Sequence, residues 1–63
     1  MFKEYDVIKA RRNLTETVTQ GCRGTILMIF ESPSIAYEVE FVNEKGQTLE
    51  LLTVKQTDIE LSN

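Results

Sequence analysis

The sequence predicts a small all-β domain. Residues 35–55 are predicted to form a β-hairpin, because Tyr37, Val39 and Phe41 alternate with charged or polar neighbours at the two-residue period of a half-buried strand. The polar segment 43–47 contains a glycine and supplies the turn. With 63 residues, the chain is expected to form one domain with a thin core.

Three further strands are predicted around this hairpin. The first covers about residues 5–12, with Val7 and Ile8 facing the core and Lys9 and Arg11 facing outward. The second covers residues 25–30, where apolar residues on both faces indicate either a bulge or a face that meets something else. Residues 59–61 alternate as a short last strand, after a single helical turn at residues 56–58.

A polar loop is predicted between the first two strands, over residues 13–23. Its β-branched residues disfavour a long helix, and Leu14 and Val18 are expected to pack onto the core. Gly21 and Gly24 fall where a strongly bent sheet needs glycine. Five short strands, a long first loop and one turn before the last strand are the arrangement of an SH3-like barrel.

The composition argues against an enzyme. The chain has no histidine, no tryptophan and one cysteine, so the side chain most used for proton transfer near neutral pH is missing. We therefore predict no catalytic residues, no metal site and no cofactor. An activated thiolate at Cys22, whose pKa nearby cations would lower, is the alternative to an ordinary loop residue. Cysteine usage, together with the lack of a long apolar run and of a secretory signal, predicts a cytoplasmic protein.

A set of motifs spread over residues 5–61 resembles a known family. The most specific is Ala-Tyr-Glu-Val-Glu-Phe-Val-Asn at residues 36–43. The others are Tyr-Asp-Val-Ile at residues 5–8, Gly21, Gly-Thr-Ile at residues 24–26, and then Gly46, Thr48 and Thr53. Together they resemble a family of small bacterial proteins, common in cyanobacteria, that share a domain of unknown function (DUF4926-like).

The resemblance implies an SH3-like barrel without an established activity. Genes of such proteins often lie beside toxin-like genes, which implies an antitoxin or immunity role. Met28 departs from the family pattern, in which this position tends to be polar or charged. The departure makes the second strand more apolar.

Two pairs of residues are candidates for binding a partner. Met28 and Phe30 either lie on a face that docks a partner or a second copy, or are buried because the curvature of the barrel covers both faces of the strand. Glu38 and Glu40 form an acidic strand face that is solvated or docks a basic partner. Without a pocket or a histidine, catalysis by this carboxylate pair is not expected.

Three arginines, Arg11, Arg12 and Arg23, form a candidate patch for phosphate or nucleic acid. The alternative is a solvated face on which the arginines pair across the sheet with one of three glutamates, Glu38, Glu40 or Glu50. The net charge of −3 argues against nucleic acid as a partner, because phosphate contacts dominate that affinity.

The sequence therefore predicts a non-enzymatic protein-interaction module that docks to a larger protein. The more specific form of this prediction is an antitoxin- or immunity-like role. One alternative is a nucleic-acid-binding SH3-like barrel. Another is an accessory subunit of an electron-transfer complex, since SH3-like barrels occur in such subunits. Free strand edges and the apolar second strand favour a homodimer, and no membrane partner is expected.

Overall fold

A computed structural model describes residues 2–62 and contains a single antiparallel sheet of five strands. In chain order they are β1 (Val7–Ala10), β2 (Arg23–Phe30), β3 (Ala36–Val42), β4 (Thr48–Val54) and β5 (Ile59–Leu61), with a 3-10 turn at Gln56–Asp58 before β5. Across the sheet the order is β4-β3-β2-β1-β5. The all-β class and the five strands are confirmed, while the SH3-like barrel stays a prediction.

The hairpin of β3 and β4 places the core on one side of the sheet. The alternation predicted for β3 is confirmed, because Tyr37, Val39 and Phe41 are fully buried. The remaining buried apolar side chains come from each of the other four strands and from the loop after β1. They are Ile8, Ala10, Val18, Ile26, Val54 and Ile59. We call this side of the sheet the core face and the opposite side the outer face.

A bulge at Leu27 explains the broken alternation of β2. In the pairing with β3, Ile26 faces Val39 and Ile29 faces Tyr37, so residue 27 is an extra residue between two core-facing isoleucines. A bulge of this kind shifts the phase of one strand by one residue relative to its neighbour. A bulge, one of the two predicted alternatives, is therefore present, and the next residue, Met28, lies on the outer face.

The first strand is shorter than predicted, and one of its two predicted core residues faces outward. It begins at Val7, because a turn joins Asp6 to Lys3 and Tyr5 has a φ of 68°, in the left-handed region. Val7 is 49% exposed, so the prediction that it faces the core is wrong. Ile8 is fully buried, as predicted.

Gly24 is the cross-strand partner of Ile8 on β1 and of Phe41 on β3. A Cβ atom at this position would stand 2.7 Å from Val39 Cγ1 and 2.9 Å from the carbonyl oxygen of Glu40. A side chain there would displace the backbone of β3, so glycine allows β2 to lie close beside β3 in the sheet.

The loop between β1 and β2 is held by local hydrogen bonds. The backbone N–H of Leu14 donates to the carbonyl oxygen of Val18 at 2.9 Å, and Thr15 Oγ1 accepts from the Val18 N–H at 2.9 Å. Val18 is fully buried and Leu14 packs against the core. The predicted loop, with both apolar side chains on the core, is confirmed.

Candidate interaction surface

Strand pairing brings the four predicted partner-binding residues onto one surface of the sheet. Met28 on β2 is the direct neighbour of Glu38 on β3. Glu40 lies two residues further along β3, on the same outer face, and its neighbour on β4 is Leu51. Phe30 follows Met28 at the same two-residue spacing along β2.

We call these five residues the acidic–apolar face: Met28, Phe30, Glu38, Glu40 and Leu51. Its apolar members are open to solvent, with Met28 50%, Phe30 40% and Leu51 57% exposed. The alternative in which curvature buries both faces of β2 is therefore wrong. The physical reason is the bulge, which turns Ile26 and Ile29 to the core and leaves the side chains between and beyond them outside.

The two carboxylates run down the central strand of this face, with the apolar side chains on the strands to either side. Thr53 donates its hydroxyl hydrogen to Glu38 Oε1 at 2.8 Å, and the hydroxyl of Thr48 donates to Glu40 Oε2. Both donors belong to β4. Each carboxylate is thus oriented by one threonine and keeps acceptor positions free for further donors.

Two of the predicted arginines are paired within the chain. Arg12 forms a hydrogen-bonded ion pair with Asp58, and Arg11 Nε lies 3.7 Å from Glu60 Oε1. Lys9 Nζ lies 3.4 Å from the other oxygen of Glu60. The predicted pairing with glutamates of β3 or β4 is wrong, because the antiparallel pairing of β1 with β5 brings Glu60 and Asp58 nearer.

Arg23 differs from the other two arginines. It begins β2, where its neighbour on β1 is Lys9 and its neighbour on β3 is Val42. Among residues 2–62, no carboxylate lies within ion-pair distance of Arg23. The positive charge of Arg23 is therefore exposed at the end of the outer face, away from Met28 and Phe30.

Asp58 is a structurally important residue that sequence reasoning missed. It is buried, its Oδ2 accepts the backbone N–H of Lys55 at 2.9 Å, and its Oδ1 binds Arg12. The hydrogen bond from Lys55 and the Arg12 guanidinium hold the pKa of Asp58 below its usual value, against the opposing effect of burial. The available signal was a carboxylate three residues after Lys55, the spacing at which a side chain closes a helical turn.

Cys22 lies beside an open depression that is lined by part of the first loop and by the turn 43–47. Its thiol donates to the carbonyl oxygen of Val42 at 3.4 Å. Partial burial raises the pKa of the Cys22 thiol, which is the opposite of activation. This direction argues against the alternative of an activated thiolate at Cys22.

These features define a class: a small all-β domain whose sheet carries its core on one face and an acidic–apolar surface on the other. The chain belongs to the family described as Domain of unknown function (DUF4926), whose model matches residues 4–61. Comparisons with curated proteins and with solved structures return no match. Within residues 2–62, no helix has the length and apolar character needed to cross a membrane.

Proposed function

We propose that the protein is a non-enzymatic interaction module of the cytoplasm that docks to a larger protein through the acidic–apolar face. The observation that carries the proposal is the exposure of Met28, Phe30 and Leu51 around two carboxylates on one side of a sheet. Burying such apolar side chains against a partner is favourable by roughly 25 cal/mol per Å² of apolar surface. Contiguous exposed apolar groups with polar neighbours are typical of interaction surfaces.

The layout of the face indicates the chemistry of the partner. A complementary surface presents apolar side chains to Met28 and Phe30, and a lysine or arginine that reaches Glu38 and Glu40. The orienting bonds from Thr53 and Thr48 support this, because they fix the carboxylates before binding. Opposite charges at such a contact contribute more to association rate and specificity than to affinity.

The sheet also supports docking without large rearrangement. β3, which carries both glutamates, is paired along its length with β2 on one side and β4 on the other. Side chains on a central strand lose little backbone freedom on binding, since that freedom was already lost on folding. A rigid face of this kind recognises a preformed surface rather than ordering a loop.

The narrower form of the proposal is an antitoxin- or immunity-like role. In this form the larger protein is a toxin whose active surface the acidic–apolar face covers. A toxin with a basic surface, as enzymes that act on nucleic acid have, provides the positive charge that Glu38 and Glu40 would contact.

The test compares wild type with two variants, each of which is changed at a single exposed position. Wild type, Met28→Glu and Leu61→Glu are immobilised, and nuclease-treated lysate from the native cell is passed over each. Leu61 is the matched control, because it is 49% exposed, close to the 50% of Met28, but lies on β5. The retained proteins are compared by mass spectrometry after a wash at raised ionic strength.

The proposal expects at least one protein that wild type and Leu61→Glu retain and Met28→Glu loses. Retention should survive the salt wash, because apolar contacts are not screened, whereas nucleic-acid binding weakens steeply with salt. Equal retention by all three chains would exclude the acidic–apolar face as the docking surface. Separate binding of a labelled oligonucleotide that disappears with salt, and in a chain with alanine at the three arginines, would favour the nucleic-acid alternative.

A further inference from the structure

We infer that the free edge of β4 pairs antiparallel with the same edge of a second copy of this chain. This inference concerns the edge of the sheet, and it shares one residue, Leu51, with the acidic–apolar face. β4 is a terminal strand of the sheet, paired with β3 on one side, and no strand within residues 2–62 pairs with its other side. Along that side its backbone N–H and C=O groups are available to another strand.

The two edges of the sheet are protected very differently. β5, at the other edge, has three residues, and its central Glu60 is held between Lys9 and Arg11. Short length and charge are both devices that discourage pairing at an edge. β4 has seven residues, Thr-Leu-Glu-Leu-Leu-Thr-Val, without lysine, arginine or proline.

The one charged side chain of β4, that of Glu50, does not protect the free edge against pairing. Glu50 accepts the hydroxyl hydrogen of Thr15 at 2.6 Å, so its carboxylate is engaged by the loop after β1. A bulge near Leu49 disturbs only the start of the strand, beside the turn 43–47. The segment from Leu51 to Val54 is regular and contains no charged residue, proline or bulge.

A second copy of the chain is the occupant that fits this edge, because β4 of one copy can pair antiparallel with β4 of the other. Two copies that extend one sheet antiparallel are related by a two-fold axis perpendicular to the sheet, so one residue must face its own copy. Glu50 at the axis would place like charges opposite each other, which is unfavourable. Leu52 is already packed against the core of its own chain.

Leu51 is the residue that gains most from lying at the axis. It is 57% exposed and apolar, so facing its own copy removes apolar surface from water on both chains. In this register Glu50 of one copy lies opposite Leu52 of the other. No like charges are opposed along the paired strands.

The test is the mass of the protein in solution, measured by light scattering and by sedimentation over a range of concentrations. Wild type is expected to reach twice the 7.2 kDa mass of the chain as concentration rises. Leu51→Lys is expected to remain at 7.2 kDa, because two lysines would face each other at the axis. Leu51→Glu is expected to behave in the same way.

Mixing the two variants is the decisive step. At equal concentrations the lysine and glutamate variants are expected to restore the dimer, because opposite charges then face each other at the axis. Val7→Lys is the matched control: Val7 is 49% exposed on the outer face, but β1 lies between two strands. Val7→Lys is expected to dimerise like wild type, and circular dichroism checks that every variant is folded.

Three results would overturn the inference. They are a wild type that stays at 7.2 kDa at all concentrations, a Leu51→Lys variant that still dimerises, and a mixture that does not recover the dimer. The last result, if both single variants are monomeric, would show that Leu51 does not face its own copy. The docking test above is read separately, since it changes Met28 and measures capture of another protein.

Discussion

The corner where β1 meets β5 and the acidic–apolar face use charge in opposite ways. At the corner, Arg12 pairs with the buried Asp58, and Glu60 lies between Lys9 and Arg11. On the acidic–apolar face, the carboxylates receive only threonine hydroxyls. Charges that fix the fold are thus satisfied inside the chain, while charges on the face keep their capacity for an external partner.

Among substitutions in these two regions, removing Asp58 is expected to have the largest effect on the free energy of unfolding. Asp58→Ala leaves the Lys55 N–H and the Arg12 guanidinium without their acceptor, which should cost about 1–3 kcal/mol of unfolding free energy. The measurement is the midpoint of urea denaturation. A loss below that of an ordinary surface substitution would mean that the corner does not stabilise the fold.

Acid is expected to weaken the corner through protonation of Asp58. Since folding lowers the pKa of Asp58, its stabilising contribution is complete above the unfolded value near 3.8 and is lost as pH falls through the lower folded value. The difference in unfolding free energy between wild type and Asp58→Asn should therefore be constant at neutral pH and shrink below about pH 4. A difference that stays constant to low pH would contradict the role assigned to the carboxylate.

Removing Glu60 tests whether its two ion pairs, with Lys9 and Arg11, stabilise the fold as much as the pair of Arg12 with Asp58. Its side chain is half exposed, so Glu60→Ala should cost only about 0.2–1 kcal/mol, and less in high salt. Parallel urea titrations of Glu60→Ala and Asp58→Ala give the contrast. Equal losses would show that burial of Asp58 adds nothing to the strength of its contacts.

Changing the acidic–apolar face is expected to have the smallest effect on stability. Met28→Ser should shift the unfolding free energy by no more than about 0.5 kcal/mol, because the side chain is half exposed and away from the core. Thermal melting of wild type and Met28→Ser checks this. A larger loss would mean that Met28 supports the fold and would weaken the case for a binding role.

The hairpin and the succession of strands were predictable from sequence because they depend on local patterns. The alternation around Tyr37, Val39 and Phe41 is the direct mark of a strand with one buried face, and the glycine-containing turn marks its end. The loop at residues 13–23 was equally predictable, since its composition disfavours a helix. In each case neighbouring residues carry the necessary information.

The phase of β1 and the partners of the arginines were not predictable in this way. Both Val7 and Ile8 are apolar, and which one faces the core depends on the pairing of Ile8 with Gly24. Likewise, Arg12 meets Asp58, 46 positions later, only because β5 returns beside β1. These contacts are set by tertiary pairing, for which the sequence alone offered several equally suitable carboxylates.

The bulge at Leu27 separates the evolution of the surface from that of the core. Because the extra residue sets the phase of the last part of β2, substitutions at positions 28 and 30 alter what the domain presents without touching the packing beneath. Related chains that share this irregularity can diverge in partner preference while they retain one interior. Straightening the bulge while keeping residue 27 would end that freedom, since Met28 would then turn inward and its side chain would have to serve both core packing and the outer surface.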